Sequence, residues 1–126
     1  MDADVLLFFD GRPVSLALYE AFARRVTAAV PGTRIKAQKT QISFYNRHLF
    51  ACVSFLPVRR AGERPRDYIT VTLGLDYPLD SPRVDVKTEA RPNRWTHHFL
   101  IASESEIDGE LMGWVRQAAD FAVRKR

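Results

Sequence analysis

The apolar residues of this chain change their spacing twice. From Val14 they fall at Leu18, Tyr19, Phe22, Val26, Ala29 and Val30, one stripe along a helix. Between residues 41 and 75 the period drops to two, the spacing of a strand with one buried face. From Ile107 the helical spacing returns, at Leu111, Trp114, Val115, Ala118 and Phe121 or Ala122. Two helices with one apolar stripe each bury both stripes most simply against the same face of a sheet. The expectation is a two-layer α+β sandwich. It has an antiparallel sheet of about four to five strands, N- and C-terminal helices on one face, and a partly open second face.

The boundaries are set by breakers and caps. Pro13 suits a first helical turn and Pro31-Gly32 stops the helix, so the first long helix is expected over 13–30. Asp10 or Ser15 is the candidate cap for its free amides. The preceding Val5–Phe9 run reads as a short strand or a hydrophobic lead-in. Ile42 and Phe44 alternate with Gln41, Ser43 and Tyr45, Asn46–His48 reads as a tight turn, and Leu49–Leu56 runs on to Pro57. Together they predict a β-hairpin. A charged loop, Arg59–Arg66, follows. Tyr68–Leu75 alternates cleanly, with Ile69, Val71, Leu73 and Leu75 on one face and Thr70 and Thr72 on the other. Arg83–Lys87 is a candidate edge strand, Pro92–Arg94 a turn, and Trp95–Ala102 the last strand. Ser103 and Glu106 have the spacing of a capping box at the start of the final helix, whose Arg124–Arg126 end suits the negative pole of the dipole.

The 126 residues hold one domain, 1–126, with no linker to divide them. No apolar run approaches the roughly 18 residues of a membrane span. The opening Met1-Asp-Ala-Asp4 is acidic where a secretion signal is basic, so a cytoplasmic location is expected. One cysteine, Cys52, excludes an intramolecular disulfide and a cysteine-based zinc site. No glycine spacing matches a phosphate loop or dinucleotide fingerprint, and no cofactor is implied.

The net charge of +4 is unevenly spread. Residues 1–33 and 95–126 each carry −1, while residues 34–94 carry twelve basic and six acidic side chains, or +6. A basic middle points to a polyanion, and the plainer reading is a solvated arginine-rich surface.

The residues Leu18-Tyr19, Lys39–Ser43, Leu49–Ala51, His97-His98, Glu106–Asp108 and Trp114–Ala118 occur in an order that resembles the bacterial domain of unknown function 5655. The resemblance runs from about residue 5 to residue 123. It implies a small α+β domain, standing alone or appended to others, including nuclease-like ones. It implies no catalytic residues.

Little else points to chemistry. His97 and His98 are adjacent on a strand, face opposite ways and cannot share a metal. One is expected to be a hydrogen-bonded buried histidine and His98 to lie on the open face. Cys52 reads as an ordinary buried thiol, and the acidic run from Glu104 to Glu110 as a dipole partner. No nucleophile–base pair is legible. The open face would carry Lys39, Gln41, Ser43, Tyr45, Cys52, Ser54, Thr70, Thr72 and His98, bordered by Arg47, Arg59, Arg60, Arg64, Arg66 and Arg94. The functional expectation is a binding module for nucleic acid or another anionic partner on this basic face, with Tyr45 stacking on a base. The alternative is a protein-interaction or dimerisation domain, a homodimer included, with no nucleic-acid role.

Overall fold

The computed structural model describes residues 2–125. Arg126, read above as part of the basic helix end, lies outside the described residues, as does Met1. The order is α1 (Ala3–Phe8), α2 (Pro13–Ala29), β1 (Arg34–Ala37), β2 (Ile42–Tyr45), β3 (Leu49–Ser54), β4 (Ile69–Leu75), β5 (Val86–Arg91), β6 (Arg94–Ile101) and α3 (Gly109–Arg124). The six strands form one antiparallel sheet in the order β1-β2-β3-β4-β6-β5. The fold is the expected α+β sandwich with more strands than expected.

The pleat divides the side chains. Ile42, Val53, Val71 and Phe99 form one cross-strand row, and Phe44, Ala51, Leu73 and His97 the next. All eight are buried. Helix α3 lies over β3 and β4, with α2 beside it. Leu18, Phe22 and Val26 of α2 and Leu111, Val115 and Ala118 of α3 are the buried stripe. Phe22 meets Phe44 edge-on, 5.6 Å between ring centres. The opposite face carries the row Ser43, Cys52, Thr72, His98 and Val86.

Several local expectations are corrected. Val5–Phe9 is no strand. Asp2 caps α1 by accepting from the Asp4 amide at 2.7 Å, and Val5 and Phe9, one turn apart, reach the core. Neither Asp10 nor Ser15 caps α2, where Arg12 is the cap residue without a side-chain bond. Ser15 instead donates to the Tyr68 carbonyl at 2.9 Å. The capping box at Ser103 and Glu106 opens a single 3₁₀ turn. Helix α3 starts later, where Asp108 accepts from the Leu111 amide at 3.0 Å and from Arg83 at 2.8 Å. That amide and guanidinium hold the Asp108 carboxyl below the usual range. The edge strand lies at Val86–Arg91, later than expected, and β1 has no counterpart in the alternation because three of its four residues are exposed. Phe55 is only partly buried. It leaves β3 and stacks on Phe8, 5.3 Å between ring centres, beyond the helix-covered row.

A bulge separates Phe44 from Tyr45. Phe44 pairs with Ala51 and Tyr45 with Leu49, which leaves Phe50 as the extra residue, buried in the core.

Phe22 is fully buried against both layers, so Phe22→Ala removes an aromatic ring that no neighbour can replace. Urea denaturation is expected to show a loss of about 3–5 kcal/mol.

A polar cleft on the open sheet face

The second sheet face is not evenly open. Beyond β3 the chain crosses it, and Thr70 Oγ1 donates to the Leu56 carbonyl at 2.8 Å. This closes over the end of the face where Thr70 and Leu100 are buried. What remains is a cleft of about 950 Å³. Its floor is Cys52, Ser54, Thr72 and His98. One wall is the outer side of α1, with Asp4, Leu7 and Phe8, and Arg12 beside it. The other is the β1–β2 turn, Ala37–Gln41, which includes Lys39. Phe55 and Leu56 close one end.

The floor is a line of hydrogen-bonding groups on three adjacent strands. Thr72 stands between Cys52 and His98, its Oγ1 2.8 Å from His98 Nδ1. That bond leaves imidazole Nε2 for a ligand. Burial holds the His98 ring below the ordinary imidazole range, so it is neutral at pH 7. Burial also pushes the Cys52 thiol up, with the Thr72 hydroxyl pulling the other way. Cys52 is therefore a protonated thiol in the floor. Ser43 continues the row, but Gln41 and Gln38 engage its hydroxyl at 2.8 and 2.7 Å and it is sealed from solvent. Arg12 holds its guanidinium 4.0 Å above the Phe55 ring, which presets it beside the cleft.

Of the residues expected on the open face, Lys39, Gln41, Cys52, Ser54, Thr72 and His98 line the cleft. Ser43 lies beneath it. Tyr45 is beyond the bulge and is not part of it. The basic side chains do not converge. Arg59, Arg60, Arg64 and Arg66 sit on the loop after β3, and Arg59 is bound to Asp85 at 2.7 Å. Arg47 and Arg94 are at the other end of the strands. Arg47 donates to the Val123 carbonyl at 3.2 Å, and Arg94 stands 4.9 Å over Phe121. The six residues of β3 separate the two groups by about 20 Å. The excess charge of the middle segment was a property of the sequence order; the fold divides it.

Sequence reasoning missed the α1 wall and Arg12. The Val5/Phe9 spacing and the Asp2 cap were the available signals, but six residues are too few for periodicity to separate helix from strand.

His97, the partner on the other face, is fully buried and accepts from the Leu79 amide through Nε2 at 2.9 Å. Burial holds its imidazole below the ordinary range. Both histidines thus bind protons more weakly when folded than when unfolded. Their contribution is complete above about pH 6.5, the unfolded value, and is lost as pH falls through the lower folded values. Urea midpoints are expected to drop between about pH 7 and 5, and the drop to shrink in His97→Gln.

No three His, Cys, Asp or Glu side chains among the described residues are placed to share a metal ion, and no described helix is long and apolar enough to cross a membrane. No curated protein and no solved structure matches the chain. A family model does, over residues 7–122, which takes in α2, all six strands and nearly all of α3. The chain belongs to the family described as domain of unknown function (DUF5655).

Proposed function

We propose that this domain is a binding module that takes an anionic partner, a single-stranded nucleic acid, in the cleft on its open sheet face. The observation that carries the reading is that two cations, Arg12 and Lys39, line one cleft together with a floor of neutral hydrogen-bonding groups. A backbone phosphate suits the cations, and the floor donors and acceptors suit base edges. Phe8, stacked on Phe55, offers an aromatic wall at the same opening. Asp4 shares the lining and limits the local excess of charge, so few phosphates are engaged. The arginines of the loop after β3 add long-range attraction without lining the cleft. The free, buried Cys52 agrees with work in the reducing cytoplasm, and the family resemblance with a bacterial setting.

A second reading rests on the rim. Leu7 is 73% exposed and Leu56 46% exposed, and both line the cleft. Apolar lips of this kind suit a protein segment or a second copy of the chain.

Fluorescence anisotropy with labelled single- and double-stranded oligonucleotides separates the two. Binding is expected for the single strand, reduced in Arg12→Ala/Lys39→Ala. Two phosphate contacts give a salt slope of about −1.4, or roughly sevenfold weaker binding from about 50 to 200 mM salt. Absence of binding at the lower salt, with a concentration-dependent dimer in light scattering that Leu7→Asp abolishes, would establish the interaction reading instead.

A further inference from the structure

The opposite end of the sheet carries a second feature, built by the β5–β6 turn. Pro92 and Asn93 form its two-residue tip, and Asn93 takes φ 61°, a left-handed conformation that asparagine tolerates. The tip sets Arg91 directly opposite Arg94. Directly opposed side chains project from the same face of a hairpin, and two like charges so placed repel. The fold adds more positive charge there. Lys125 Nζ and Arg94 Cζ lie 5.6 and 4.9 Å from the centre of the same ring, Phe121. Arg124 is 5.6 Å from that ring on its own side chain.

Between these groups is a notch of about 370 Å³. Arg91, Arg94, Lys125 and His48 line it above a floor that includes Gly74 and Thr96. Gly74 has open space where a side chain would stand. Arg94 Nη1 is buried, with no hydrogen-bond partner among the described residues. Burial, then Arg94 and Arg91, hold the Lys125 ammonium below its ordinary range. No carboxylate among the described residues lines the notch; Asp76 faces Arg124 at 3.8 Å, and Glu89 accepts from the Asn93 amide of the turn at 3.2 Å. The end of α3 does not account for all of this charge. Its carbonyls at Ala119, Ala122 and Val123 are already taken by Asn46, His48 and Arg47.

We propose that the notch between the β5–β6 turn and the end of α3 binds a phosphate-class oxyanion, held by Arg91, Arg94 and Lys125. The anion relieves the repulsion across the hairpin by accepting charged hydrogen bonds from the side chains that line the notch. The site is independent of the cleft reading, since the two share no residue. The phosphate is either a free ion or a phosphodiester of a nucleic acid strand.

Two-dimensional amide NMR at constant ionic strength tests this, with inorganic phosphate in one arm and a short oligothymidylate in the other. Saturable shifts are expected at Gly74 and Thr96 and at the Trp95 indole. Arg94→Gln and Lys125→Gln should each weaken the response about tenfold, the loss of one charged hydrogen bond. Gly74→Val fills the notch and keeps every charge; it should abolish the response while the rest of the spectrum keeps its dispersion. Lys39→Gln in the cleft should leave these shifts unchanged. Shifts from phosphate alone assign the free ion, and shifts from the oligothymidylate assign the phosphodiester. If neither anion produces saturable shifts there, or if Gly74→Val leaves them intact, the proposal fails, whatever the cleft binds.

Discussion

The apolar rows beneath α2 and α3 are the constraint on which the rest of this domain depends. Val53, Val71, Leu73 and Phe99 are completely or almost completely removed from solvent by helices that cover one face only. That asymmetry frees the other face to be polar. Ser43, Cys52, Thr72 and His98 occupy alternate positions on the same strands, and their only task is to satisfy one another and what lies above them. The cleft is thus a by-product of single-sided packing, narrowed by two short segments, α1 and the chain after Ser54.

Charge follows a different logic. Arg59 and Arg83 are bound to Asp85 and to Asp108 and Glu110, and tie loops to the sheet and to the start of α3. Their positive charge is largely cancelled where it sits. Arg12 and Lys39 at one end, and Arg91, Arg94 and Lys125 at the other, remain as places where cations meet an opening. Net charge by segment cannot separate these groups, because pairing is decided by residues distant in sequence.

The long elements were legible because each has a single buried face. The stripes at Leu18–Val26 and Leu111–Ala122 and the alternation at Ile69–Leu75 reappear as buried positions, except that Trp114 is only partly buried at the edge of the core. The opposed faces of His97 and His98 followed from the pleat alone. The missed pieces are those where burial is not periodic. β1 and β5 are exposed edge strands, α1 has fewer than two turns, and the bulge opposite Phe44/Tyr45 puts Phe50 in the core and Leu49 outside it, the reverse of what alternation along β3 assigns. The four floor residues, Cys52, Ser54, Thr72 and His98, could be read from alternation, as could Lys39 and Gln41 of one wall; the α1 wall could not. Convergence of the basic residues is a three-dimensional property that alternation does not encode.

The turn at Asn46–His48 has a consequence for how the molecule assembles and opens. Its three side chains bond carbonyls of Ala119, Ala122 and Val123, which lie 73 to 76 residues further along the chain. A helix end usually frays because its last carbonyls have only water to lose. Here the last turn of α3 is completed by a hairpin made far earlier in the chain, so neither loosens without exposing the other. Closing so long a loop is entropically late in folding. The end of α3 is therefore tied directly to the β2–β3 turn, and fraying of its last turn costs these three bonds as well as its own.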